Sequence, residues 1–166
     1  NMRKANYDKF PSTKLTGMLV QGWDSIISML KEKMDARKVL AVDLYTGVYE
    51  EEVLDAFSKE FSGRVMNVRD LMKPEKEIQT LTERFMTEDV LFGYVTNLKL
   101  EDYLDADKVA AARKQISEAK DAIVIIGTGA AVVAPQDAMV VYADMARWEI
   151  QQRFRRHEVK ALGIDN

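Results

Sequence analysis

The sequence predicts an α/β fold, a three-layer sandwich with a mostly parallel sheet between helices. Three observations predict it. Short strand-like runs stand at residues 39–42, 64–68, 123–126 and 139–142, and the first and third are apolar throughout, as strands buried on both faces are. The stretches between the runs carry apolar residues at helical spacing. Strands that alternate with helices belong in one parallel sheet with helices on both of its faces.

Residues 1–21 read as an N-terminal arm and residues 22–166 as a single α/β domain. Asn1 ahead of Met2 has the look of a tag remnant. The stretch 7–17, YDKFPSTKLTG, is polar and contains Pro11, which suits an extended arm. The first helix carries Trp23, Ile26, Ile27, Leu30 and Met34 on one face, with Asp24 or Ser25 near its cap. The first strand ends at Asp43. A second helix follows with Val53, Leu54, Phe57 and Phe61 inward, and Gly63 suits its end.

The second strand leaves Arg69 and Asp70 at its mouth. Pro74 fits the first turn of a helix carrying Ile78, Leu81 and Phe85. Residues 90–97 are ambiguous, with a short strand at 92–95 as one reading. Residues 105–120 form a helix with Val109, Ala112 and Ile116 inward, and residues 144–156 a closing helix. No repeat, linker or low-complexity segment interrupts the order.

A chain of 166 residues fits one domain with a real core. Its net charge of −3 gives no bulk attraction for nucleic acid. No run of 18 apolar residues and no signal-peptide pattern is present, so neither a membrane span nor export is expected. The absence of cysteine excludes disulfides, thiolate metal ligands and a thiol nucleophile, and fits a cytoplasmic protein. The end of the sequence, GIDN, carries no obvious stop signal, so a fragment of a longer protein is expected.

Ligands of open parallel sheets bind beyond the carboxyl ends of the strands. Asp43, Tyr45, Thr46 and Gly47 stand there after the first strand, and Asp70 after the second. Gly127, Thr128 and Gly129 follow the third, and Asp144 the fourth. Three carboxylates at one rim could bind a metal or exchange protons. The commoner role of such residues is to cap helices and satisfy loop amides.

The turn after the first strand occupies the place of a phosphate loop, but its chemistry is missing. Such a loop needs glycines for close approach, a lysine for the phosphates and a hydroxyl for magnesium. Here Gly47 is the only glycine, Val48 and Tyr49 follow it, and the helix opens with Glu50, Glu51 and Glu52. Carboxylates suit a helix N-terminus but repel the phosphate that would otherwise bind it.

The turn Gly127–Thr128–Gly129 lacks the full dinucleotide spacing, and close approach of two backbones explains it as well. The closing helix bears Arg147, Arg153, Arg155 and Arg156. Arginines clamp phosphates, and they also favour helix C-termini. An anion, if one binds, is expected at Gly127, Thr128, Gly129, Arg147 and Arg153. His157 is the sole histidine, too few for an imidazole-based zinc site. No metal site is expected in this chain.

Residues 141–156, VYADMARWEIQQRFRR, resemble the N-terminal domain of long bacterial class I mannose-6-phosphate isomerases. The arm at 7–17, the segment 38–57 and residues 123–131 (IVIIGTGAA) resemble the same domain. In that family such a domain precedes a zinc-dependent cupin isomerase. The resemblance implies a non-catalytic accessory domain whose partner is a C-terminal cupin domain of the same protein. Zinc, and the interconversion of mannose 6-phosphate and fructose 6-phosphate, would belong to that partner.

More distantly, residues 123–127 and 139–156 resemble uridine-kinase-like phosphate-loop proteins, with a degenerate phosphate loop at Asp43, Tyr45, Thr46 and Gly47. That resemblance implies that the first and third strands are adjacent in the middle of the sheet. Two other roles stay open: residual binding of a nucleotide or phosphorylated small molecule, and an oligomerisation module using Met18, Leu19 and Val20.

Overall fold

The computed structural model describes residues 11–14, 16–88 and 93–165. Four parallel strands form its sheet: β1 (Val39–Leu44), β2 (Arg64–Asn67), β3 (Ile123–Gly127) and β4 (Met139–Ala143). Their order is β2-β3-β1-β4, so the first and third strands are adjacent at the centre. Val39 pairs with Ile123 and Asp43 with Gly127, which brings the ends of β1 and β3 level at one rim. β3 is buried along its whole length, as its unbroken run of apolar residues requires.

Period-two alternation divides the sheet residues between two cores. Leu40, Val42, Val124 and Ile126 face α1 (Trp23–Met34) and α2 (Glu50–Glu60), which add Ile27, Leu30, Val53 and Phe57. Val39, Ala41, Ile123 and Ile125 face the opposite layer. There α3 (Glu75–Glu83) contributes Ile78, α5 (Ala106–Glu118) Val109 and Ile116, and α6 (Ala130–Val133) Val133. The result is the three-layer α/β arrangement. The remaining helices are the single turn α4 (Leu100–Tyr103) and the closing α7 (Arg147–Arg155).

Several boundaries differ from the sequence reading for local reasons. The second strand stops at Asn67, because Val68–Leu71 forms a 3-10 turn capped by the Asn67 side chain, which accepts from the Arg69 amide at 2.8 Å. α1 starts at Trp23 with Gly22 at its N-cap. α2 ends at Glu60 with Phe61 at its C-cap, two residues before Gly63. Pro74 stands at the N-cap of α3, and Phe85 lies beyond its end.

The closing helix begins at Arg147, three residues later than expected. The Asp144 carboxylate accepts from the Met145 amide at 2.7 Å, and Ala146 stays extended as the N-cap. Residues 93–95 are not a strand, and residues 90–92 lie outside the described residues. So do residues 7–10 and Leu15 of the expected arm, Asn1 and Met2. Among the described residues, no helix is long and apolar enough to cross a membrane.

Candidate functional site

The carboxyl ends of β1, β2 and β3 open into a cleft of about 460 Å³. Its floor is the β1–α2 turn, with Tyr45, Thr46 and Tyr49, and its far side carries Arg69 and Thr128. The opposite wall is the tail after α7, from Glu158 to Gly163. Of the residues singled out from the sequence, Tyr45, Thr46, Gly47 and Thr128 line this cleft, and the tail was not among them. Its only local signal is Gly163, which takes a φ of +72° and lies against Ile78 and Met72.

Most of the polar groups at the rim already have partners. The carboxylate of Asp43 accepts from the Gly129 amide at 3.2 Å and the Ala131 amide at 2.8 Å. It therefore ties the end of β1 to the start of α6, the loop-satisfying role. Gly129 adopts a left-handed φ of +90° as the N-cap of that helix. Gly127 has a φ of +137°, and an added Cβ would lie 2.8 Å from the Cβ of Val68. Close packing of turn against turn therefore requires glycine there. Of the Gly127–Thr128–Gly129 turn, only Thr128 lines the cleft.

The arginines divide in the same way. Arg153 stacks over the Tyr49 ring at 3.7 Å from its centroid and donates to the Gly47 carbonyl at 3.0 Å. Its Nε also donates to Glu149 at 3.2 Å. It therefore braces the β1–α2 turn from within. Arg147 is exposed and does not line the cleft. Gly47 itself is buried against Ile150 of α7, with a φ of +101°.

Glu158 holds the tail to this brace. It accepts from the Tyr49 hydroxyl at 2.7 Å and from Arg156 through both oxygens, at 2.6 and 2.9 Å. The hydrogen bonds from Arg156, and then from Tyr49, lower its carboxyl pKa from 4.5 to about 2. The same contact with Glu158 raises the Tyr49 hydroxyl above its usual value. Arg156 is also pushed up, chiefly by its hydrogen bond to Glu158.

Farther along the tail, Arg69 pairs with Asp165 at 3.3 Å and donates to the Ile164 carbonyl. Lys160 reaches Asp165 at 3.6 Å. Two cations thus flank the cleft around one carboxylate. On its other side stand Glu50, Glu51 and Glu52 in the first turn of α2, where Glu52 accepts from Trp23 Nε1 at 3.0 Å.

The three rim carboxylates do not converge. Asp43 is engaged by amides, Asp144 by its own loop, and Asp70 is exposed on the 3-10 turn. Among the described residues, no three of His, Asp and Glu come together to hold a metal ion. His157 is exposed, with a φ of +55° where the chain leaves α7.

Fold and cleft together define a four-stranded, all-parallel α/β domain whose strand mouths are braced by its own arginine and overlaid by its own tail. The chain belongs to the DUF8485 family, a domain of unknown function whose pattern it matches over residues 22–166. No curated protein and no solved structure matches it.

Proposed function

We propose that this domain is a non-catalytic accessory module of a larger protein of the mannose-6-phosphate-isomerase type. The observation that carries the non-catalytic part is the bond from Arg153 to the Gly47 carbonyl. In a phosphate loop, backbone amides and a lysine face the ligand. Here the corresponding turn presents a carbonyl to an arginine of its own chain, and three glutamates follow it. A triphosphate would meet negative charge at the helix end that should attract it. In this reading the kinase-like framework survives as a scaffold. The isomerase parent rests on the resemblance of residues 141–156, and zinc belongs to its cupin domain.

Two measurements test this. Calorimetry of the chain with ATP and magnesium should give no binding. A low-micromolar constant, about −8 kcal/mol, would overturn the degenerate loop. Reading the gene past residue 166 tests the parent: a cupin isomerase sequence supports it, and an unrelated domain rejects it.

The cleft favours a second reading, residual binding of a phosphorylated small molecule. Arg69, Lys160 and the Thr128 hydroxyl give it a cationic side away from Glu50–Glu60. Titration with mannose 6-phosphate, sulfate and uridine nucleotides should then shift the amides of Arg69, Thr128 and Lys160. Shifts confined to residues 43–52 would reject that placement.

A further inference from the structure

We propose that a second cleft, at the amino ends of β1 and β4, binds a small dicarboxylate. The site is independent of the strand mouths and of the accessory role. It has a volume of about 890 Å³ and lies between the end of α1, the last turns of α5 and the segment leading into β4. Four cations line it: Lys33 on α1, Arg37 and Lys38 ahead of β1, and Arg113 on α5. Asp35 and Asp137 are the acidic residues of the lining, and among the described residues neither pairs with a cation. The lining therefore carries a formal charge of +2, in a chain whose net charge is −3.

Helix ends account for part of this charge and not for the rest. Lys33 stands in the last turn of α1, where the helix dipole favours a cation. Arg113 donates to the Val132 carbonyl at 2.7 Å and to the Val133 carbonyl at 3.3 Å, at the end of α6. Arg37 and Lys38 lie beyond the end of α1, and their side chains have no partner among the described residues. The turn that delivers them is strained. Asp35 takes φ +51° and ψ −123°, a combination suited to glycine. Strain of this kind is held where the surroundings use it.

The arrangement of the cations selects the ligand. A guanidinium has five N–H donors. Arg113 spends Nε and one proton of Nη2 on the two carbonyls, so its other edge, Nη1 with Nη2, is fixed in place and open to a carboxylate. Arg37 supplies a second planar fork. The cations come from three separate elements, which suits two separated carboxylates better than one compact phosphate. A doubly charged anion also balances the excess of +2. Val39 and Ile116, both buried, and Pro135 give the lining an apolar part for the carbon stem.

Titrating the full chain with succinate and glutarate at fixed ionic strength tests the proposal, read by calorimetry and by amide shifts. At least one diacid should bind with a dissociation constant of about 1 mM or tighter. The amides of Arg37, Lys38 and Arg113 should shift, and those of Arg69, Thr128 and Lys160 should not. Butyrate and inorganic phosphate should shift the first set only at concentrations about tenfold higher, the worth of one charge-assisted bond. Arg37→Gln should weaken the diacid by about the same factor with an unchanged circular dichroism spectrum, since that side chain has no partner to lose. Arg113→Lys, which keeps the charge without the fork, should weaken it too. Lys76→Gln, on α3, should leave the affinity unchanged. Absence of heat and shifts with both diacids overturns the proposal. So does an affinity unchanged by Arg37→Gln, equal binding of butyrate or phosphate, or shifts confined to the strand mouths.

Discussion

The guanidinium of Arg153 lies 3.7 Å above the ring of Tyr49 while donating to the carbonyl of Gly47, two residues earlier in the same turn. One side chain from the last helix thereby fixes the turn after the first strand, 106 positions away in sequence. Tyr49 in turn donates to Glu158, so turn, helix and tail form one continuous set of contacts. Ordering at the strand mouths is supplied by the chain itself.

Replacing Arg153 should loosen this set at its centre. Its side chain is 15% exposed, so the bond to Gly47 is only partly screened. Arg153→Ala should cost about 1–3 kcal/mol, the range for a lost hydrogen bond to a charged group. Arg153→Lys should recover only part of that, because an ammonium lacks the planar fork that stacks and donates together. Urea denaturation of the three proteins measures it. Equal midpoints for wild type and Arg153→Ala would show that the brace adds no stability.

Asp43 separates the structural reading of the rim from a metal reading. Each of its oxygens accepts from a backbone amide, so Asp43→Ala leaves the Gly129 and Ala131 amides without that acceptor. We expect a loss of about 1–3 kcal/mol. Asp43→Asn should fall between, since its amide oxygen serves one of the two donors. Adding magnesium or zinc should leave the wild-type melting temperature unchanged. A rise with metal that disappears in Asp43→Asn would restore the metal reading.

The central strands were legible because residues 39–42 and 123–126 are continuous apolar runs, as strands buried on both faces are. β2 was harder. Its RVMN sequence is mixed because it lies on an edge, and its end depends on an Asn67 cap that periodicity does not report. Asp43, Tyr45, Thr46, Gly47 and Thr128 were legible as rim residues from strand ends alone. What Arg153 and Glu158 touch was not legible, because those partners are 106 and 109 positions away. Spacing rules reach three or four residues along a helix or two along a strand, and the tail obeys neither. The α4 and α6 turns, four residues each, are too short to show a period.

Gly127 should tolerate no side chain. Its φ of +137° disfavours any residue with a Cβ, and that Cβ would sit 2.8 Å from Val68. Val68 is fully buried at the start of the 3-10 turn and has little room to retreat. Gly127→Ala should therefore destabilise by about 1–3 kcal/mol through backbone strain alone, with overpacking added. Gly17→Ala is the control, because its φ of +143° is similar but nothing lies within 4 Å of its Cβ. If the two variants melt together, crowding against Val68 is not the cause.

The tail contact should respond to pH in a direction that the hydrogen bonds determine. Glu158 has its folded pKa lowered to about 2 from 4.5, first by Arg156 and then by Tyr49. A lowered carboxylate pKa contributes stability above the unfolded value and loses it as pH falls through the folded one. The contact should therefore hold above about pH 4.5 and weaken progressively towards pH 2. Tyr49 is shifted the other way, raised from 10.0 mainly by its bond to Glu158. Its contribution is present below pH 10 and declines as the hydroxyl ionises above that. Both groups are solvent-accessible, so the effect should be local and salt-sensitive. Following the amide shifts of residues 158–164 through both ranges tests it. Glu158→Gln should remove the acid transition, and Tyr49→Phe should remove the alkaline one. An acid transition that persists in Glu158→Gln would mean that another carboxylate, with Asp165 beside Arg69 the first to examine, controls the tail.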